Sequence, residues 1–128
     1  MIEVKFFPEK GRGIVATKLI PKGTLIEAAP VVSLPAEQIP LIDQTEVFKY
    51  YFVIPSEYEK NQEVQGLLVF GISSFCNHSK TPNAYVKWVK EKEGLWAYLI
   101  ASKDIQPREE VFLFYTNINK YPLANEFI

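Results

Sequence analysis

Two glycine-bearing turns stand so close together that the chain between them has no room for an ordinary helix. Gly11-Arg12-Gly13 and Pro21-Lys22-Gly23 enclose only residues 14–20, whereas globular helices average about 11 residues. That apolar run therefore reads as a strand. The punctuation continues on both sides: residues 3–7 form a short β-prone run before Pro8, and residues 24–29 and 31–34 read as strands split by Pro30, because proline has no N–H to give a ladder. Residues 11–16 also match G-x-G-x-x-G/A formally, but that dinucleotide motif works only where its glycines open a helix whose N-terminus receives a pyrophosphate. Without the helix, the two glycines serve a β-turn.

Farther along, residues 35–49 mix acidic and apolar positions and suit short helical turns. Residues 50–54 are a candidate strand, and residues 55–65, dense in Glu, Lys and Asn, read as an exposed loop. The apolar run 66–72 fits a buried strand or one helical turn, and periodicity does not decide for so short a segment. Residues 84–101 give the clearest signal, a β-hairpin around the charged loop from Lys90 to Gly94. A last strand over 110–115 precedes a tail with room for a short helix. The chain is mainly β with short helices, and its 128 residues suit a single domain over 1–128.

The rare residue types exclude several chemistries. With one cysteine, Cys76, and one histidine, His78, the chain has neither an internal disulfide nor a zinc site of Cys and His ligands, so no metal is expected. Lys and Arg number 14 against 15 Asp and Glu, without the basic excess of a nucleic-acid binder. No segment has the roughly 20 apolar residues that span a bilayer, and charges at Glu3, Lys5, Glu9 and Lys10 break up any signal-peptide core. The expectation is a soluble intracellular protein without direct contacts to nucleic acid or membrane.

The second polar cluster is Asn77-His78-Ser79-Lys80-Thr81-Pro82-Asn83, between the apolar run and the hairpin. Alone it reads as a loop whose side chains bond nearby backbone groups, and no G-x-S-x-G elbow exposes a serine nucleophile. The order of pieces adds more. A glycine pair and P-K-G-T turn, then N-H-S-x-x-P-N, a hairpin, K-D-I-x-x-x-E-E-V and an aromatic-Tyr ending together resemble the SET domain family of protein lysine methyltransferases. The matching pieces are residues 11–26, 77–84 and 101–115, with the stretch 31–65 poorly matched.

The resemblance implies a fold of several small β-sheets in which the C-terminal segment threads a loop to form a pseudoknot, bringing Asn77 and His78 beside Tyr115. It implies S-adenosylmethionine as methyl donor, with Lys10, Gly11 and Arg12 at its binding turn and Asn77 and His78 holding its adenine and amino-acid parts. Tyr115 matches the catalytic tyrosine. Tyr50 and Phe52 are candidates for the substrate-lysine channel and read equally as core residues of a strand; Leu113 occupies a channel position where many members carry Phe or Tyr. The implied partner is a protein or peptide presenting a lysine, such as a histone or another basic protein, and a homodimer is compatible with the fold.

Several positions depart from the family pattern. Ser74 stands where Arg is usual before N-H-S, and Arg108 where Gly commonly precedes the Glu pair. Lys80 replaces the Cys that, in many members, binds zinc together with a Cys-rich tail, and no Cys follows Tyr115. A zinc-free version must cover its site by packing, for which Tyr121 and Phe127 are available. The altered positions also suit an alternative, a non-catalytic binding module that keeps the fold.

Overall fold

The computed structural model describes residues 1–54 and 65–116. The expected tail helix and its Tyr121 and Phe127 lie outside the described residues, as does the expected loop except for its exposed last residue, Gln65.

β1 (Ile2–Phe7) and β2 (Gly11–Ala16) form an antiparallel hairpin in which Phe7 pairs with Gly11. The turn falls on Pro8-Glu9-Lys10, closed by the Lys10 N–H donating to the Phe7 carbonyl at 3.1 Å. The glycine pair thus opens a strand instead of forming the turn, and Gly11 enters it at φ 85°, where a Cβ is penalised.

β3 (Leu25–Leu34) runs unbroken through Pro30, contrary to the expected split. The cause is a change of partner. Its first part pairs with β8 (Gly94–Ala101) as far as Pro30, and from Val31 onward it pairs with β5 (Gly66–Val69). A proline is tolerated at such an interruption of the ladder. β4 (Tyr51–Phe52) and β7 (Ala84–Glu91) complete a five-stranded sheet in the order β4-β5-β3-β8-β7. The open choice at 66–72 resolves into a strand followed by a 3₁₀ turn at Ile72–Phe75. The β7–β8 hairpin is tighter than expected, since Glu91 pairs with Gly94 and leaves a two-residue turn. Short helical turns fill Ala36–Gln38, Ile39–Ile42 and Glu46–Lys49, as the composition suggested.

The expected last strand shrinks to β9 (Phe112–Leu113), which lies parallel to β6 (Asn77–His78). The segment leading to it is bridged to β2 between Val15 and Glu110, and Ile20 is bridged to Ile105. It therefore passes between the N-terminal hairpin and β6, anchored by Ile14, Ile20, Ile105 and Val111, all fully buried in the main core.

The turn before that segment carries strain. Gln106 to Glu109 is a β-turn closed by a 3.0 Å backbone bond, with Pro107 at its second position and Arg108 at its third, at φ 69°. A type II turn requires φ above zero there, which favours glycine. Arg108→Gly is expected to stabilise the fold by about 0.5–1 kcal/mol, seen as a thermal midpoint a few degrees higher. A lower midpoint would show that the Arg108 side chain contributes more than its backbone costs.

Candidate active site

The parallel pairing of β6 with β9 builds the site. Asn77 and His78, expected in a polar loop, are strand residues with both side chains buried. The loop reading fails because their backbone partners lie in a segment far along the chain. Their side chains bond across the same gap. Asn77 Nδ2 donates to Glu110 Oε2 at 2.8 Å and to the Arg12 carbonyl at 3.3 Å, while His78 Nδ1 accepts from the Tyr115 N–H at 2.8 Å. Asn83 extends the pairing, donating to the Glu110 carbonyl at 2.9 Å and accepting from the Phe112 N–H at 2.8 Å.

Because His78 Nδ1 accepts, its proton sits on Nε2. Burial, and then the charge of Lys80, hold its pKa below the ordinary 6.5. The folded state therefore takes up a proton at lower pH than the unfolded chain, so stability linked to His78 is complete above pH 6.5 and is lost as pH falls from there through the folded pKa. As the sole histidine, its NMR titration is unambiguous. A midpoint below 6.5 is expected, and one at or above that value would contradict the buried acceptor geometry.

The cofactor candidates gather around Asn77 and Glu110. Lys10 Nζ is 2.6 Å from Glu110 Oε1 and lies over the rings of Phe7 and Phe112, at 5.0 and 4.8 Å. The exposed Arg12 guanidinium lies 4.5 Å over Phe75. No heavy atom lies within 4 Å of where a Gly11 Cβ would stand, so that backbone is open to an approaching molecule. Gly13 is the opposite case: its Cβ would meet Asn77 Nδ2 and Glu110 Oε2, each at 2.7 Å. Both Asn77 amide hydrogens are used, yet no donor among the described residues reaches its Oδ1. A buried acceptor in that state takes its hydrogen bond from water or from a ligand donor.

Next to β9 lies a cavity of about 240 Å³ whose walls include Tyr50, Phe52, Cys76, Trp88, Leu113 and Tyr115. All three sequence-derived channel residues thus share one space with Tyr115. The fully core member of that stretch is Tyr51, while Tyr50 and Phe52 are half-buried, edge-on to Phe75 and Trp88. Tyr115 Oη donates to the Cys76 carbonyl at 2.5 Å. A hydroxyl committed as donor presents lone pairs to a further group. Burial, reinforced by the charges of Glu27 and Glu110, pushes the Cys76 thiol well above its usual range, so it offers no thiolate nucleophile at neutral pH. Ser74 donates to the Val69 carbonyl at 2.8 Å, tying the 3₁₀ turn to β5.

Sequence reasoning missed Glu110 and Asn83 as organisers of the site. Their signal was present, in the Glu pair and in the last position of the N-H-S-x-x-P-N cluster. Among the described residues no group of His, Cys, Asp and Glu could hold a metal ion, and no helix is long and apolar enough to cross a membrane.

The chain is similar to known proteins in sequence and in fold. A histone-lysine N-methyltransferase, H3 lysine-37 specific, of Schizosaccharomyces pombe is 29% identical over 89% of this chain and 72% of its own length. A Yarrowia lipolytica histone-lysine N-methyltransferase, H3 lysine-36 specific, is 32% identical over 94% of this chain, which spans only 16% of that relative. The crystal structure of a Plasmodium falciparum candidate histone methyltransferase superposes with a TM-score of 0.69 at 27% identity, covering 89% of this chain and 91% of that one. The SET domain model matches residues 11–116, a range that takes in the glycine-opened strand, the Asn77–His78 pairing and Tyr115. The threaded C-terminal segment and the family match agree, and the chain belongs to the SET domain family of protein lysine methyltransferases.

Proposed function

We propose that residues 1–128 act as a single SET domain that moves methyl groups from S-adenosylmethionine to lysine Nε of a histone or another protein. The observation that carries the reading is that the β6–β9 pair joins Asn77, held against Glu110 and the Arg12 carbonyl, to an aromatic cavity lined by Leu113 and Tyr115. The residues present fit the cofactor. Asn77 Oδ1 has no protein donor among the described residues and would suit an amino-acid ammonium, Arg12 is an exposed cation that would suit a carboxylate, and the Gly11 backbone leaves room for close approach. His78 adds an Nε2–H donor beside the exposed ring of Phe114, 4.9 Å away between centroids.

When bound, the cofactor supplies a sulfonium methyl open to direct displacement, which leaves alignment to the protein. A lysine ammonium must first lose its proton, at a cost of about 4–5 kcal/mol from a pKa near 10.4 to neutral pH. The walls made by Phe52, Trp88 and Leu113 reduce that cost by disfavouring the charged form. Tyr115 Oη, its own proton engaged by Cys76, accepts an amine N–H and turns the nitrogen lone pair toward the methyl. The departures no longer favour a non-catalytic module: Ser74 is hydrogen-bonded, Arg108 keeps the glycine-like turn and Leu113 lines the cavity.

The relatives' names make histone H3 the first substrate to test, which would place the protein in the nucleus. Labelled S-adenosylmethionine is incubated with the chain and peptides spanning H3 lysine-36 and lysine-37, each with arginine counterparts. Transfer to a peptide, abolished by the arginine exchange, is expected. Cofactor binding without transfer to these peptides, to whole histones or to other proteins would return the module reading.

A further inference from the structure

We infer that Glu110 is a positioning residue that fixes which face of the Asn77 amide meets the cofactor; the inference rests on the function proposed above. The Glu110 side chain is 8% exposed and sits between two donors, Lys10 Nζ at 2.6 Å on Oε1 and Asn77 Nδ2 at 2.8 Å on Oε2. The second neighbour of the Asn77 amide is also an acceptor, the Arg12 carbonyl at 3.3 Å. Rotating the amide by half a turn would set Oδ1 against a carboxylate and a carbonyl, three acceptors without a proton among them. The chemistry of the neighbours therefore turns Nδ2 inward and Oδ1 outward. Oδ1 is then the acceptor offered to a ligand ammonium.

Lys10 takes a different part from a direct grip on the cofactor. Its ammonium balances Glu110 and, lying over Phe7 and Phe112, ties the turn before β2 to β9. Gly13 completes the device, because any Cβ there would strike both Asn77 Nδ2 and Glu110 Oε2.

The test compares two ligands by calorimetry. S-adenosylhomocysteine carries the amino-acid moiety, and 5′-methylthioadenosine lacks it. Glu110→Met removes both acceptors, and should weaken S-adenosylhomocysteine about tenfold or more while changing methylthioadenosine by no more than about twofold. Glu110→Gln, which keeps one acceptor, should recover part of the loss. In kinetics the KM for S-adenosylmethionine should rise with kcat little changed. Thermal melts identify folded variants, and if the Met variant does not fold, the same selective, smaller loss in the Gln variant carries the test. Equal weakening of both ligands in a folded variant, or no weakening of either, overturns the positioning role. Wild-type protein that binds neither ligand overturns the cofactor reading itself, and the inference with it.

Discussion

Tyr115→Phe is expected to lower kcat for methyl transfer by about a hundredfold or more while leaving S-adenosylhomocysteine affinity nearly unchanged. The split follows from the two ends of the residue. Its backbone N–H, which holds His78 Nδ1 at 2.8 Å, survives the substitution, so the cofactor face keeps its geometry. Its hydroxyl does not. The Cys76 carbonyl loses its 2.5 Å donor, and the cavity loses the oxygen that orients the amine. A stability loss of about 1 kcal/mol should accompany the change, since one buried acceptor is left unpaired. Single-turnover rates at saturating cofactor, together with calorimetry on the same preparation, separate the effects. An unchanged rate would remove the hydroxyl from the chemistry, and a matching loss of cofactor affinity would make its role structural.

Gly13→Ala should be damaging for a different reason. A Cβ at this position would stand 2.7 Å from Asn77 Nδ2 and Glu110 Oε2 and 2.9 Å from the Phe7 ring, closer than carbon packs against any of them. Neither Asn77 nor Glu110 is the free end of an exposed chain, so the contact is relieved only by separating the two or by tilting the hairpin. Overpacking of this kind costs about 1–3 kcal/mol, and separating the pair also releases the Asn77 amide. Loss of S-adenosylhomocysteine binding is expected, with a lower thermal midpoint. Gly11→Ala provides the contrast. It has open space for the methyl but a backbone at φ 85°, so strain of about 1 kcal/mol is its main expected effect. An alanine at position 13 that melts and binds like wild type would mean that the hairpin does not pack against Asn77 as described.

The contrast between the two glycines shows how far sequence reasoning reached. Short-range chemistry was legible: a seven-residue gap between turns excluded a helix, and the hairpin of β7 and β8 announced itself through alternation and a glycine close. The family resemblance implied that Asn77, His78 and Tyr115 share one neighbourhood, and the structure brings them together through β6 and β9. What stayed hidden depended on partners distant in the chain. Pro30 looked like a break because the handover from β8 to β5 leaves no local trace, and Asn77-His78 looked like a loop because β9 is what makes it a strand. Glu110 looked like one half of a charged pair. Its role emerges only when Lys10, from the other end of the chain, and Asn77 close on its two oxygens. The two glycines of Gly11-x-Gly13 look alike in sequence, yet the first has open space around its missing Cβ and the second is required by packing against Asn77 and Glu110.

A crystal structure with S-adenosylhomocysteine and a lysine peptide tests the central claim most directly, namely that the Asn77 surface and the Tyr115 cavity, joined by the β6–β9 pair, are halves of one methyl-transfer site. The predicted result has the amino-acid ammonium on Asn77 Oδ1, the remaining cofactor along Gly11, Arg12 and His78, and the lysine side chain in the cavity of Tyr50, Phe52 and Leu113 with Nε hydrogen-bonded to Tyr115 Oη. The sulfur and Nε should face each other across a gap sized for one methyl group. A cofactor bound away from Asn77, or a lysine lodged outside that cavity, would contradict the account.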